Sequence, residues 1–236
     1  RPYATWLHNK TREVRWSYGP KKDHAQCATG SRKSPECTAG GWTLCGSNTY
    51  PAGAFPACVS PLGAYDLNGK LLWKKDLGVL DAGWFYDVDY QWEYGNSPII
   101  YKNMVIVQAD IQKNSFIAAY DIKNGKELWK TTREELPSWG SPTVYEGKTR
   151  AELITVGPKK IRGYDPATGK ELWSLGPMSE ITTPTPFVAF DLIFVTSGYA
   201  PIQPIYAIKP GGSGDLTLKD GKESSDFIAW SKQRGG

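Results

Sequence analysis

The stretch GYDPATGKELW at 163–173 has near copies, AYDIKNGKELW at 119–129 and AYDLNGKLLW at 64–73. A unit repeated at tens of residues constrains the fold strongly. Each copy must bury its apolar face on the next, which gives a solenoid or a propeller. The tryptophans set the spacing: Trp73, Trp129, Trp173 and Trp230 are separated by 56, 44 and 57 residues. Trp16, in LHNKTREVRW at 7–16, lies 57 residues before Trp73 and reads as a worn copy of the motif. A second ladder runs beside the first. NSPIIY, GSPTVY and PTPFVA place Ser/Thr-Pro pairs at 97/98, 141/142 and 185/186, both intervals being 44 residues.

Each unit reads as four short strands. In one they are 99–101, 104–109, 116–121 and 127–130. In the next they are 143–145, 152–156, 160–164 and 171–173. Val, Ile, Tyr and Phe are frequent in them, as pleated, half-buried strands require. Turn residues separate the strands at Lys102-Asn103, Asn124-Gly125, Glu146-Gly147 and Thr168-Gly169, where glycine is expected to supply positive φ. No segment keeps a 3.6-residue apolar period, so helix should be minor. Four antiparallel strands per 40–45 residues, repeated, predict an all-β propeller. In each motif the Asp should accept backbone N–H groups of the turn and the Gly should make the turn. The tryptophan should bury its ring on the neighbouring blade, with an acceptor for its indole N–H. Trp16, Trp73, Trp129, Trp173 and Trp230 are therefore expected to be structural docking residues.

AYDxxxGKxLW followed by a Ser-Pro strand resembles the pyrroloquinoline-quinone-type (quinoprotein-like) β-propeller repeat with its tryptophan-docking motifs. That family includes eight-bladed quinoprotein dehydrogenases and the propeller lipoprotein of bacterial outer-membrane assembly. The resemblance covers residues 63–236, about three blades, and touches 1–24 only weakly. An eight-bladed ring would need roughly 360 residues at about 45 per blade. The 236 residues are thus expected to form an incomplete ring, with WSKQRGG following a docking tryptophan where another blade would begin. The resemblance implies a periplasmic or secreted protein, although no signal peptide stands at the N-terminus.

Residues 1–62 divide from the blades at 63–236. By position, 25–62 should supply inner strands of the blade ending at Trp73, yet they hold no strand period and all four cysteines: Cys27, Cys37, Cys45 and Cys58. The spacing contains no CxxC and does not support a zinc ribbon. Two disulfides or free cysteines both fit, and the stretch reads as foreign to the fold (a disordered insertion or an out-of-frame segment) or as a disulfide-stapled loop. Charge is uneven in the same way. Residues 1–62 carry eight Lys/Arg against three Asp/Glu, and 63–236 carry 20 against 21. A neutral blade region excludes a nucleic-acid binder. No apolar run approaches the length of a transmembrane helix.

Candidate chemistry lies in what is not repeated. DAGWFYDVDYQWEYGNSP at 81–98 gathers Trp84, Tyr86, Asp87, Asp89, Tyr90 and Trp92 in a loop between two units. Carboxylates at i and i+2 are a Ca²⁺-type pattern, and the rings suit stacking on a sugar or quinone; the alternative is an ordinary inter-blade loop covering a propeller face. The expanded unit 197–226 offers Asp215 and Asp220, as cation ligands or in a solvated hairpin. The Gly-Lys hairpin of GYDPATGK lacks the spacing of a phosphate loop. His8 and His24 are too isolated for a triad or a zinc site. A quinoprotein dehydrogenase would require an adjacent-cysteine disulfide, a calcium held by carboxylate and amide, and an Asp base. No Cys-Cys pair exists and no such set is matched by motif, so no cofactor is expected; pyrroloquinoline quinone (PQQ) and Ca²⁺ enter by resemblance only. The expected function is a non-catalytic scaffold or binding module of the bacterial envelope, its loops contacting protein, glycan or a small ligand. Other blades, or the remainder of the propeller, are expected partners. The alternative is a fragment of a quinoprotein-like oxidoreductase.

Overall fold

The computed structural model describes residues 7–8, 14–17, 59–66, 70–84, 87, 92, 94–200, 202–219 and 221–233. They form four antiparallel sheets, one per repeat, with no α-helix. The first blade comprises β1 (Leu7–His8), β2 (Val14–Ser17), β3 (Val59–Asp66) and β4 (Leu71–Val79), paired in that order. The second comprises β5 (Ile99–Tyr101), β6 (Met104–Ala109), β7 (Phe116–Asp121) and β8 (Glu127–Thr132). The third comprises β9 (Thr143–Glu146), β10 (Ala151–Val156), β11 (Ile161–Tyr164) and β12 (Glu171–Leu175). The fourth comprises β13 (Phe187–Ala189), β14 (Leu192–Thr196), β15 (Pro204–Ile208) and β17 (Ile228–Gln233). The short β16 (Gly214–Asp215) leaves the fourth repeat and pairs in parallel with β12 of the third.

The strands form where β-branched and aromatic residues alternate with turn chemistry. Inner strands are buried on both faces, so β6 and β7 read as apolar runs. Outer strands such as β8 face solvent on alternate residues. The hairpin between the third and outer strands is closed by its Asp. Asp121 N–H donates to the Lys126 carbonyl at 2.8 Å, and Asp121 Oδ1 accepts from Lys123 N–H at 2.8 Å. Asp165 repeats this, with Lys170 at 2.9 Å and Ala167 at 2.9 Å. Gly125 and Gly169 take φ of 70° and 72°, which glycine does without a Cβ clash. Gly147 is required instead by crowding, since a methyl there would sit 2.8 Å from the Arg150 carbonyl oxygen.

Three apolar clusters lie between blades. Leu62, Ala64 and Trp73 meet Val105, Val107 and Tyr120 at the first seam. Ile106, Ile117 and Ala119 meet Leu153 and Tyr164 at the second. Ile154, Trp173 and Leu175 meet Ile193, Tyr206 and Ile228 at the third.

Two details differ from expectation. Pairing in the first blade begins at Val59 rather than 63, because β3 continues along β4 as far as the Val59–Val79 pair. Trp16 lies on β2, the second strand of its blade, opposite Ala64; the other four tryptophans lie on outer strands. Its 57-residue spacing therefore does not place it at an outer-strand position. The four cysteines and the rest of 25–58 lie outside the described residues.

Candidate functional site

A buried charged seam between the second and third blades was not visible in the repeat. Asp110 follows β6, and Arg133 follows β8. Arg133 Nε donates to Asp110 Oδ1 at 2.6 Å and its Nη2 to Oδ2 at 3.0 Å, both side chains being fully buried. The second amino group of Arg133 donates to the Thr155 hydroxyl at 2.8 Å and to the Tyr164 hydroxyl at 2.7 Å. Asp110 Oδ2 also accepts from Ser138 Oγ and Gln108 Nε2, each at 2.7 Å. Burial alone would favour a neutral Arg133, but Asp110 overcomes it and holds the guanidinium charged more firmly than usual. The Tyr164 hydroxyl is pushed up by burial, against the opposing pull of Arg133 and Arg162.

Glu135 extends the seam. Its carboxylate accepts from Lys159 N–H at 2.8 Å, Lys160 N–H at 3.3 Å and Arg162 Nη1 at 2.5 Å. Each charge in this group is met by an opposite charge and by directed donors. Such a network fixes how two blades sit together. Its groups are committed to one another rather than turned toward a substrate.

The non-repeated loop is only partly described. Tyr86, Asp89 and Tyr90 lie outside the described residues. Trp84 is half-buried, Asp87 N–H donates to the Trp84 carbonyl at 3.1 Å, and Trp92 N–H donates to the Ala82 carbonyl at 3.0 Å. Trp92 is 38% exposed and tilted against Trp139, with centroids 5.4 Å apart at 53°. The loop is anchored from below by Tyr94, whose hydroxyl donates to the Gln108 carbonyl at 2.6 Å. Asp81 is exposed, and its carbonyl accepts from Gln112 N–H at 2.9 Å. The structure thus brings Trp84, Asp87 and Trp92 into one loop, with Trp139 of the following linker added.

The tryptophans and the Ser/Thr-Pro positions make the ties between blades. Trp73 Nε1 donates to the Ile122 carbonyl at 3.0 Å, and Trp129 Nε1 to the Pro166 carbonyl at 3.1 Å. In both cases the acceptor follows the hairpin Asp of the next blade. Near the inner strands, Ser97 N–H donates to Ser141 Oγ at 2.8 Å and Ser141 N–H to Thr185 Oγ1 at 3.3 Å. Trp173 behaves differently. Its Nε1 donates to Glu152 Oε2 at 2.6 Å, and Glu152 Oε1 accepts from Gly211 N–H of the fourth blade at 2.7 Å. The cause is the expanded hairpin after β15, which carries β16 across β12 and leaves Trp173 1% exposed.

That expansion accounts for Asp215, which accepts from Thr217 N–H at 3.0 Å and Thr217 Oγ1 at 2.5 Å. The Thr217 bonds hold its carboxyl below the usual carboxylate range. Asp220 lies outside the described residues. Among the described residues no three His, Cys, Asp or Glu side chains converge as a metal site. The buried carboxylates Asp110, Glu135 and Glu152 are already bonded to Arg133, Arg162 and Arg150. These residues do not fit a calcium-held quinone. Among them no helix is long and apolar enough to cross a membrane.

The family described as outer membrane protein assembly factor BamB matches residues 59–209. No curated protein matches the sequence. Among solved structures, the chain is similar to BamB from Moraxella catarrhalis at 17% identity and a TM-score of 0.45, covering 69% of this chain and 53% of that one. It is similar to a europium-containing methanol dehydrogenase at 16% and 0.43, covering 61% and 25%. It is similar to quinohemoprotein alcohol dehydrogenase from Comamonas testosteroni at 17% and 0.51, covering 74% and 32%. The last of these shows a shared propeller fold, and the chain spans no more than 53% of the length of any of the three. With four-stranded repeats over 59–209 matched by the family itself, the chain belongs to the pyrroloquinoline-quinone-type β-propeller family, in the group described as outer membrane protein assembly factor BamB.

Proposed function

We propose that this chain is part of a non-catalytic propeller scaffold of the bacterial cell envelope, periplasmic or secreted, that uses its non-repeated loop to hold a protein partner. The observation that carries this reading is the Trp92–Trp139 pair, partly exposed on a non-repeated loop that Leu80, Ala82 and Tyr94 anchor in the core of the first seam. Indole rings on a rigid scaffold give large contact area at low entropic cost, and they are enriched at protein interfaces. The sequence of the same loop also carries Trp84, Tyr86, Asp87, Asp89 and Tyr90, further rings and charges for such a contact. The assembly-factor description of the matched family supports a protein as the ligand. Trp73 and Trp129 then serve the scaffold as blade-docking residues, and its propeller part includes β1 and β2 as well as the strands from Val59 onward.

A photo-crosslinking residue placed at 92 in cells of the source organism tests this. The expected result is a discrete envelope-protein adduct that is absent when the same residue stands at exposed Lys126. No site-dependent adduct would overturn the reading. Adding PQQ and Ca²⁺ to the purified protein tests the oxidoreductase alternative. A spectral shift with alcohol turnover would replace the scaffold reading; neither is expected.

A further inference from the structure

We infer that the outer edge of β8 takes an extended segment of a partner protein in parallel, as β12 takes the chain's own β16. That segment carries a small residue, an acidic residue and a leucine in sequence. The surface is distinct from the Trp92 loop, so the inference goes beyond the scaffold reading and does not depend on it.

The two receiving strands are copies. Glu127-Leu128-Trp129 and Glu171-Leu172-Trp173 share sequence and pairing. Trp129 stands opposite Ala119 and Lys130 opposite Ala118; Trp173 stands opposite Gly163 and Ser174 opposite Arg162. Each sheet shifts register at the same place, which leaves Leu128 and Leu172 without a ladder partner. On β12 the strap adds one more strand. Gly214 pairs with Trp173 and Asp215 with Ser174. Leu216 N–H donates to the Ser174 carbonyl at 2.8 Å, and Gly176 N–H to the Thr217 hydroxyl at 3.2 Å. Leu172 and Leu218 pack on the cluster that holds Leu216. The strap thus displays what this strand sequence accepts: extended backbone, a small residue beside the tryptophan, and aliphatic side chains beside the bulge leucine.

The same strand in the second blade carries no strap. That blade is flanked on both sides, by the first and the third, and β8 is the last strand of its sheet. Leu128 is 43% exposed. By the matched register, the Lys130 carbonyl stands where that of Ser174 meets Leu216. Among the described residues no backbone group from outside the sheet bonds it. The difference lies in the hairpins. That of the fourth blade runs from Lys209 to Phe227 and reaches β12, whereas that of the third closes between Asp165 and Lys170 and stops at Trp129. An unpaired strand edge with an aliphatic side chain beside it is a template for strand addition. Charge selects the occupant. In the third blade Asp215 pairs with Ser174, whose hydroxyl accepts from Lys160 Nζ at 3.1 Å. In the second, exposed Lys130 holds that register position and exposed Lys126 lies near it. An acidic residue in an added strand therefore meets lysine, while lysines on the edge disfavour pairing of two β8 edges with each other.

A terminally capped peptide with the sequence of residues 210–219, PGGSGDLTLK, titrated into the isotope-labelled chain tests the inference. The expected result is a saturable set of amide NMR shifts centred on residues 128–131. Leu128→Asp should weaken binding at least about tenfold, as the loss of one buried leucine implies, with an unchanged urea midpoint because Leu128 is exposed. Lys130→Glu should weaken this peptide and favour one carrying Asp215→Lys. No saturable shift, shifts confined to strands other than β8, or binding indifferent to Leu128→Asp would overturn the proposal. Indifference to the charge exchange at 130 would overturn the acidic assignment. A wild-type chain that sediments as a dimer, and as a monomer after Leu128→Asp, would overturn it by giving the edge to a second copy.

Discussion

Removing Asp110 should be among the most damaging single changes to this fold. Asp110 and Arg133 are both fully buried and joined by two hydrogen bonds at 2.6 and 3.0 Å. Truncation to alanine leaves the guanidinium without its counter-charge at a site water does not reach, which typically costs about 3–5 kcal/mol. Ser138 Oγ loses its acceptor as well, while Gln108 Nε2 keeps the Val156 carbonyl at 3.1 Å; one stranded donor adds about 1 kcal/mol. The expected loss for Asp110→Ala is about 4 kcal/mol, a large share of a typical stability of about 5–15 kcal/mol. Arg133→Met should cost less, about 3 kcal/mol, because Asp110 keeps Ser138 and Gln108 as donors. The double variant should cost well under the sum, since no unpaired charge remains. A coupling of about 2–3 kcal/mol is expected, against about 0.5 kcal/mol for independent sites. Urea unfolding followed by tryptophan fluorescence and circular dichroism measures all four corners of the cycle. A single-site loss below about 1 kcal/mol, or additive losses, would refute the account of the seam as one coupled unit.

Gly169→Ala and Gly221→Ala separate backbone strain from crowding. Both glycines have positive φ, 72° and 71°, but only Gly169 lies under the Trp129 ring, and Gly221 faces open space. Their common left-handed cost of about 1–2 kcal/mol cancels in the difference. Gly169→Ala should then be worse by about 1–3 kcal/mol in urea unfolding, and equal losses would contradict the packing described. Glu152→Gln should weaken the seam between the third and fourth blades by about 1–3 kcal/mol, because Trp173, Arg150 and Gly211 all donate to that carboxylate; faster amide exchange at Gly211 would report it. Burial pushes the Tyr120 hydroxyl up to about 12 from its ordinary 10.0. A folded value above the unfolded one means the contribution is complete below pH 10 and is lost as pH rises through 12. Stability should therefore fall across that window, and Tyr120→Phe should flatten the fall in unfolding midpoints measured against pH.

The blades were legible because their physics is local and periodic. The strands at 99–101, 104–109 and 116–121 follow from apolar runs between turn residues, and the structure has the same bounds. Outer strands run further than the motif suggested, to Thr132 and Leu175, since their ends are fixed by pairing with a neighbour. The 44-residue Ser/Thr-Pro interval was visible as spacing. Its meaning, an N–H of one blade meeting a hydroxyl of the next, depends on a turn of the propeller that spacing does not contain. The charged seam was harder still. Asp110 and Arg133 stand 23 residues apart, and isolated charges beside strand ends read as solvated. One signal was present: Gln108 and Asp110 interrupt an apolar run, while the corresponding linkers of the next unit have Gly157 and Pro177. The strap β16 gave none, since two residues of a Gly-rich turn become a strand only because β12 offers a free edge.

Trp173 shows how far a sequence motif fixes a contact. GKELW occurs identically at 125–129 and 169–173, yet Trp129 donates to a carbonyl of the next blade and Trp173 to a carboxylate of its own. The tryptophan is the same; the receiving hairpin differs. After Asp121 and Asp165 the turn is short, and a carbonyl is presented to the incoming ring. After Ile208 it expands, a backbone N–H at Gly211 is presented instead, and a donor cannot receive a donor. Glu152 resolves the mismatch by accepting from both. Met104 is its counterpart in the second blade, where Ile106 aligns with Ile154 through the Ala119 and Gly163 rows. An apolar residue suffices there because Trp129 finds its acceptor across the seam. The identity of a seam is therefore decided by the blade that receives, and a carboxylate facing an outer-strand tryptophan marks a hairpin that has lost its carbonyl.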